Sequence, residues 1–332
     1  MSITPDPTLR ELVWPRPPEA PRYRYVGELT GERNFSDAPG SEPNRTMKVV
    51  GWLLGLHRQA SKPVVLQRPQ GGAVGADGRV YVSDVSRAAV FVFDPSAGEL
   101  LVWEMATETQ RFTAPIGIAL GGDGNILVTD AELGIVTRIS SSGQPVGVFG
   151  GDILQRPTGI ARDPERGRIY VADTRANDIK VFDDEGALID LVGHQGEDPG
   201  ALNAPIYLAV KEGKLYVTDT LNSRVQVFDE DGNLIRHFGE RGLYIGNFAR
   251  PKGITVGPDG IIYVVESLHD YLLAFDPQGH LLLAIGGTGR EPGHFYLPAG
   301  TWTDPRGRIY VSDMLNGRVS IFERIVSAGA EP

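Results

Sequence analysis

The feature that most constrains the fold is a repeated unit of four short strands. Its clearest copy runs from Asn203 to Gly232, with a proline opening an apolar strand, a glycine turn, and a second strand ending in Val-x-Asp. A tight turn follows, then an apolar strand ending in Phe-Asp, and a fourth strand that often closes on glycine. Repeats of this length are typical of stacked or radial architectures, so the repeat constrains the fold class before any single residue does.

Two independent landmarks give the same number of copies, six. Both recur at steps of 42 to 48 residues. The opening prolines are Pro69, Pro115, Pro157, Pro205, Pro251 and Pro298. The acidic residues that end the second strands are Asp84, Asp130, Asp173, Asp219, Glu266 and Asp313. A small sheet of four strands cannot bury both faces alone, so the pattern predicts an all-β fold, a six-bladed β-propeller of four-stranded antiparallel blades.

The unit resembles the NHL repeat, and the chain is similar to six-bladed NHL propellers from about Leu66 to Phe322. The sixth copy supplies only three strands before the chain ends. The alternating segment Tyr23–Leu29 matches the fourth strand of a unit. We therefore expect this N-terminal strand to complete the last blade, which would protect an otherwise open sheet edge.

The predicted propeller spans residues 23–324 and is flanked by other segments. Residues 1–22 are rich in proline and predict an extended arm, with Trp14 pinning it to the propeller side or, alternatively, anchoring a partner. An insertion covers residues 32–64, and its apolar stretch 46–57 has a roughly helical period. We expect this stretch to pack on one face of the disc, with a membrane or partner contact as the alternative. Residues 325–332 are expected to form a flexible tail.

Composition excludes several function classes. A net charge of −10 disfavours nucleic acid as a partner, because phosphate binding needs a lysine- and arginine-rich surface. The absence of cysteine removes disulfides, thiolate chemistry and cysteine-ligated zinc. No apolar run reaches the roughly 18 residues of a membrane span. The N-terminus lacks an export signal, so we expect either an extracytoplasmic protein in mature form or, alternatively, a cytoplasmic one.

The acidic residues that end the second strands suggest one structural ion pair per blade. In the fourth and sixth copies an arginine follows five residues later, which pairs Asp219 with Arg224 and Asp313 with Arg318. A partly buried carboxylate needs a hydrogen-bonded counter-charge, and a guanidinium provides one. Asp130 has no such arginine, so it is expected to use backbone donors or water.

Copies one, three and five carry an arginine before the opening proline instead. These residues are Arg68, Arg156 and Arg250. The first strand begins on the face where the second strand ends, so we expect these guanidinium groups to reach Asp84, Asp173 and Glu266. The alternative is that the three arginines ring the channel mouth and bind an anion.

Catalytic signatures are sparse. The positions after the opening prolines hold no histidine or carboxylate, whereas the amidating-lyase propellers that the repeat resembles have histidines there. Glu266, His269 and His294 form the alternative metal set, on neighbouring blades, for a metal-dependent lyase or hydrolase acting at the channel. No nucleophile elbow, phosphate loop or dinucleotide fingerprint is present.

The sequence therefore predicts a non-catalytic binding propeller without a cofactor, whose partner is a protein. Recognition is expected on the face with the long connections between blades and at the channel mouth. The candidate binding residues are Arg68, Arg156, Arg250, Tyr207, Lys252, His269 and His294. Similarity to exported bacterial NHL propellers, carried by the proline-rich lead and the strand Arg24 to Leu29, implies a partner such as a multihaem cytochrome. A sensor module with a small ligand in the channel is a third possibility.

Overall fold

The computed structural model describes residues 12–36 and 63–325. Within these ranges the chain forms six antiparallel sheets, five of four strands and one of five. The innermost strand of each sheet contacts that of the next, and the sixth contacts the first, so the sheets close into a ring around a channel. The predicted six-bladed β-propeller is confirmed.

The elements follow the repeat blade by blade. The N-terminal elements are β1 (Val13–Trp14), β2 (Tyr23–Leu29) and the helical turn α1 (Arg33–Ser36). Blade 1 consists of β3 (Pro69–Val74), β4 (Val80–Asp84), β5 (Ala89–Asp94) and β6 (Glu99–Trp103). Blade 2 consists of β7 (Pro115–Leu120), β8 (Ile126–Asp130), β9 (Ile135–Ile139) and β10 (Pro145–Phe149). Blade 3 consists of β11 (Pro157–Asp163), β12 (Arg168–Asp173), β13 (Asp178–Asp183) and β14 (Leu188–Val192).

The second half of the ring repeats this order. Blade 4 consists of β15 (Pro205–Lys211), β16 (Lys214–Asp219), β17 (Arg224–Phe228) and β18 (Leu234–Phe238). Blade 5 consists of β19 (Pro251–Val256), β20 (Ile262–Glu266), β21 (Tyr271–Phe275) and β22 (Leu281–Gly286). Blade 6 contains β23 (Thr301–Thr303), β24 (Ile309–Asp313), a 3-10 turn (Met314–Asn316) and β25 (Arg318–Arg324). Each blade runs from the channel outward in this order.

The N-terminal strand closes the ring as expected. β2 pairs antiparallel with β25, from Tyr23 opposite Arg324 to Leu29 opposite Val319. β1 adds a fifth strand outside β2, so part of the proline-rich arm belongs to the sheet. Trp14 in β1 is buried, and its ring lies 5.5 Å from that of Phe322. The arm is therefore pinned to the propeller side.

Hydrophobic side chains from adjacent blades form the core between them. One cluster joins blades 6 and 1 and contains Phe91, Phe93, Tyr310 and Ile321. The β-branched and aromatic residues that alternate along the strands supply these contacts, because each sheet buries one face on each neighbour. The two middle strands of a blade are buried almost throughout, whereas the outermost strand, such as β14, is mostly exposed.

Glycines determine how closely the innermost strands approach each other. In five blades a glycine stands two residues after the opening proline, and these are Gly71, Gly117, Gly159, Gly253 and Gly300. A Cβ atom on Gly159 would lie 2.7 Å from the carbonyl oxygen of Ile206 and 2.7 Å from the Cα of Tyr207. The neighbouring backbone occupies that space, so a side chain would push the blades apart.

Among the described residues no helix is long and apolar enough to cross a membrane. The predicted helix over 46–57 and the arm before residue 12 lie outside the described residues. The residues after Ile325 also lie outside the described residues.

We predict that Gly159→Ala lowers the free energy of unfolding by about 2 kcal/mol or more, because the added methyl overpacks against backbone. Urea denaturation measures the change. Gly147→Ala in β10 is the matched control, because no atom lies within 4 Å of its added Cβ and we expect little effect. Equal losses in the two variants would contradict the close approach of the innermost strands.

Candidate functional site

One face of the disc gathers most of the sequence-predicted site residues. The first strands begin on this face and the second strands end on it, as the pairing of Pro69 with Asp84 and of Pro205 with Asp219 shows. The turns between second and third strands and the loops between blades lie there too. We call it the upper face.

In every blade the acidic residue at the end of the second strand binds the loop before its opening proline. Its carboxylate accepts one or two backbone N–H groups of that loop at 2.6–3.1 Å. The donors are Gln67 and Arg68, Thr113 and Ala114, Gln155 and Arg156, Asn203, Ala249 and Arg250, and Tyr296. Because N–H groups bound to a carboxylate make strong bonds, each loop is held to its own blade.

The arginine ion pairs occur only in blades 4 and 6. Arg224 Nε donates to Asp219 at 2.8 Å, and its terminal nitrogen donates to the carbonyls of Asp198 and Ala201. Arg318 Nε donates likewise to Asp313 at 2.8 Å. Both guanidinium groups therefore bind the carboxylate and the preceding loop together.

Blades 4 and 6 need the arginine because their carboxylates receive one backbone N–H fewer from the loop. The residues before their opening prolines, Ala204 and Leu297, have positive φ values of 51° and 48°. Their N–H groups point to the preceding blade, where they donate to Asn177 Oδ1 and Asp270 Oδ1. The guanidinium, together with the side-chain amide of Asn222 or Asn316, supplies donors in place of the missing N–H and adds a counter-charge to the buried carboxylate.

The expectation that Arg68, Arg156 and Arg250 form the same ion pairs is wrong. Their backbone N–H groups, and not their guanidinium groups, bind Asp84, Asp173 and Glu266. With two loop donors in place, these carboxylates need no side-chain cation. Asp130 uses backbone donors in the same way, as expected for a blade without an arginine.

The guanidinium groups of Arg68, Arg156 and Arg250 do not bind the strand-ending carboxylates. Arg156 pairs with Glu132 on the surface at 2.8 Å. Arg68 lies 4.0 Å from the sulfur of Met314 in blade 6. Within the described residues, Arg250 forms no side-chain hydrogen bond or ion pair.

We predict that Arg224→Met lowers the free energy of unfolding by about 3–5 kcal/mol, because it leaves Asp219 buried without its counter-charge. Arg156→Met is the matched control and should change it by less than about 1 kcal/mol, since its ion pair is exposed. Urea denaturation compares the two. A small loss at Arg224 would show that the backbone N–H of Asn203 and the side-chain amides of Asn222 and Gln226 satisfy Asp219 without a cation.

The channel contains a cavity of about 490 Å³. Its lining runs from the glycines near the opening prolines to the turns of the opposite, lower face, such as Gly121 and Pro164. Among the described residues, most that line the cavity are small or apolar, and none is a histidine or a carboxylate. Arg162, the one charged residue of this described lining, pairs with Asp184.

Tyr207 closes the upper end of this cavity. Blade 4 has Tyr207 where the other blades have glycine, and its side chain is buried. Ile116 from blade 2 packs against the hydrophobic cluster that contains Tyr207, a contact that must cross the channel. Burial raises the pKa of the Tyr207 hydroxyl, so it stays neutral. Tyr207 is therefore a packing residue and does not project from the upper face.

The alternative metal set is not assembled. His269 Nδ1 lies 3.9 Å from Glu266 Oε1, but the carboxylate of Glu266 already accepts backbone N–H groups. His294 Nδ1 is buried without a hydrogen-bond partner. Nowhere in residues 12–36 and 63–325 do three histidine, aspartate or glutamate side chains come together in a way that could hold a metal.

Three cations lie together at the upper mouth of the channel. Lys252 follows the opening proline of blade 5 and is largely shielded from solvent. Burial, and then the charges of Arg250 and Arg68, lower the pKa of Lys252 to about 8. In the part of the chain that the structure describes, none of the three pairs with a carboxylate. We call them the cation cluster.

The upper face also carries exposed apolar side chains on one half of the ring. The second residue after each strand-ending acid is Leu221, Leu268 or Leu315 in blades 4 to 6. All three are more than 40% exposed. The equivalent residues in blades 1 to 3 are Ser86, Glu132 and Arg175.

The loop between blades 4 and 5 extends this apolar surface. This loop has the same length as the loop between blades 3 and 4 and the loop between blades 5 and 6. At the positions of Leu243, Tyr244 and Ile245, the first of those loops has Glu-Asp-Pro and the second has Arg-Glu-Pro. Leu243 and Tyr244 are 85% and 84% exposed. With Leu268 and His269, the three residues line a pocket of about 280 Å³.

We call this surface the apolar crescent. Its members are Leu221, Leu243, Tyr244, Ile245, Leu268, Tyr296 and Leu315.

Comparison with known proteins agrees with the fold. A family model described as a 6-bladed beta-propeller matches residues 201–276, and the NHL repeat model matches residues 154–182. This chain is a six-bladed β-propeller that contains an NHL repeat. The human NHL-repeat-containing protein 4 is 35% identical over 71 residues, which are 21% of this chain and 56% of that protein. Protein brain tumor of Drosophila melanogaster is 28% identical over 128 residues, 38% of this chain and 12% of that protein.

The NHL propeller thus spans less than two thirds of the length of these relatives. Among solved structures, a catalytically inactive histidine-to-alanine variant of virginiamycin B lyase from Staphylococcus aureus, with quinupristin, has a TM-score of 0.56 and 17% identity. The match covers 78% of this chain and 95% of that one. At this identity the likeness shows the fold alone.

Sequence reasoning missed the apolar crescent of the NHL propeller, although a signal was present. Aligning the loops between blades reveals Leu-Tyr-Ile in place of charged residues and proline. The sequence predicts Arg68, Arg250 and Lys252 as candidate binding residues. It does not predict that they lie close together, because their proximity depends on the closure of the ring.

Lys252 should destabilise the fold at neutral pH. The pKa of Lys252 falls from 10.5 to about 8 on folding, so the unfolded chain binds more protons between these values and stability rises with pH there. We predict that Lys252→Met raises the free energy of unfolding at pH 7 by about 1–3 kcal/mol, and that this gain disappears near pH 10.5. Urea denaturation at both pH values measures it. A loss of stability at pH 7 would contradict the effect of burial on this ammonium group.

Proposed function

We propose that this NHL propeller is a non-catalytic module that binds a protein partner through the apolar crescent. The observation that carries the proposal is the almost complete exposure of Leu243 and Tyr244 beside the pocket that they line with Leu268. Contiguous exposed apolar side chains are typical of interaction sites. Aromatic residues next to a pocket are typical of the few positions that dominate binding energy.

The fold itself does not require these side chains. The equivalent loop positions on either side are Glu197 to Pro199 and Arg290 to Pro292, and those loops have the same length. Blades 1 to 3 fold with polar residues where blades 4 to 6 have exposed leucines. An apolar residue that gains little from burial within its own chain is best explained by burial against a partner.

The channel gives less support to catalysis. Virginiamycin B lyase shares the propeller fold, and a histidine-to-alanine variant of that enzyme is described as inactive. The described lining of the cavity includes no histidine, aspartate or glutamate that could transfer a proton. The net charge of −10 favours a protein over a nucleic acid as the partner.

Affinity capture tests the proposal. The double variant Leu243→Ser with Tyr244→Ser should retain less than about a tenth of a specific partner that wild-type protein captures from native extract, because it removes two central apolar contacts. The captured partner is then purified, and calorimetry with the double variant should give a Kd raised by about tenfold or more.

The control is Ile189→Ser with Leu191→Ser on β14, two residues with about half of their surface exposed on the outer edge of blade 3. This variant should bind like wild type. Equal capture by all three proteins would reject the crescent as the binding surface.

A further inference from the structure

The cation cluster borders the apolar crescent. Arg68 belongs to blade 1, but its guanidinium lies 4.0 Å from the sulfur of Met314, so it reaches over blade 6. Leu315 of the crescent follows Met314 directly. Arg250 and Lys252 flank the opening proline of blade 5, which lies on the other side of blade 6. The charges of Arg68 and Arg250 both act on Lys252, so the three positive groups lie near one another at the channel mouth, next to blade 6.

The carboxylates nearest to the cluster in sequence, Asp84 and Glu266, form no ion pair with it. Asp84 accepts four backbone N–H groups, from Gln67, Arg68, Ser86 and Arg87. Glu266 accepts those of Ala249, Arg250 and Leu268. Both carboxylates are thus bound by backbone N–H groups, and within residues 12–36 and 63–325 no carboxylate pairs with the three cations. In a chain with an excess of ten negative charges, such a cluster is unusual.

The shape of the site favours a carboxylate over a phosphate. Phosphate sites usually combine cations with several free backbone N–H groups. Here the N–H groups of Arg68 and Arg250 are used by Asp84 and Glu266, so only side chains are available. Charge-assisted bonds from guanidinium and ammonium groups suit a single carboxylate. Tyr207 closes the channel beneath and limits how deeply the anion can enter.

We propose that Arg68, Arg250 and Lys252 bind a carboxylate side chain of the protein partner at the upper mouth of the channel, an inference that rests on the proposed function. The partner segment therefore has apolar residues for the crescent and an acidic residue next to them. Complementary charge of this kind fixes the orientation of the partner and speeds association.

A local reporter exists for the anion itself. The chain has four methionines, and Met314 contacts the Arg68 guanidinium. With methyl-labelled methionine, titration with glutarate at constant ionic strength should shift the Met314 resonance in a saturable way and leave that of Met105 in place. Glutaramide, which has the same shape without charge, should cause no shift.

Two variants test the residues. Lys252→Met combined with Arg250→Gln should weaken glutarate binding at least tenfold, whereas Arg175→Gln, an exposed cation on the polar half of the upper face, should leave it unchanged. No saturable shift with glutarate, or an unaltered shift in the double variant, would overturn the proposal. Tighter binding of inorganic phosphate than of glutarate would overturn the carboxylate assignment.

Capture of the partner separates this inference from the proposed function. Loss of the partner in both the crescent variant and the cation variant supports both. Loss in the crescent variant alone, with unchanged association and unchanged salt dependence in the cation variant, rejects the carboxylate site and keeps the crescent. Retention in the crescent variant rejects the proposed function, while the glutarate titration still decides whether the cluster binds a carboxylate.

Discussion

The upper face depends on one interaction, the binding of loop N–H groups by the carboxylate that ends each second strand. Buried backbone donors need acceptors, and a strand-ending acid provides two oxygens at the point where the loop returns to the channel. This hydrogen bond fixes the position of each loop relative to its own blade. It also keeps the carboxylates inside the protein, so that nearby arginine side chains remain available at the surface.

The same bond explains why the arginines differ between blades. Where two loop N–H groups reach the acid, as at Asp84, the neighbouring arginine is released toward solvent. Where a positive φ at Ala204 or Leu297 turns one N–H to the preceding blade, an arginine from the third strand replaces it. The need of each buried strand-ending carboxylate for donors thus decides which of the neighbouring arginines have a structural role.

The six blades have similar structures, but the exposed apolar and cationic side chains of the upper face lie on one half of the ring. Blades 4 to 6 carry the exposed leucines and the Leu-Tyr-Ile loop, and the cation cluster lies beside them at the channel mouth. The inner strands show the same specialisation, because Tyr207 fills the position that glycine holds elsewhere and closes the channel on the upper side. Each blade contacts only its neighbours, so single blades can change their loops without disturbing the remaining ring.

The number of blades, the closure by Tyr23–Leu29 and the chemistry of the candidate residues can all be predicted from the sequence, because proline, glycine and strand-ending acids recur at fixed offsets. The sequence did not determine where Arg68 and Arg156 point, since a side chain and its own backbone N–H compete for the same carboxylate. The three-dimensional structure shows that the backbone N–H groups bind the carboxylates. It also decided the meeting of Arg68 with Lys252, because these residues are far apart in the chain and come together only when the ring closes.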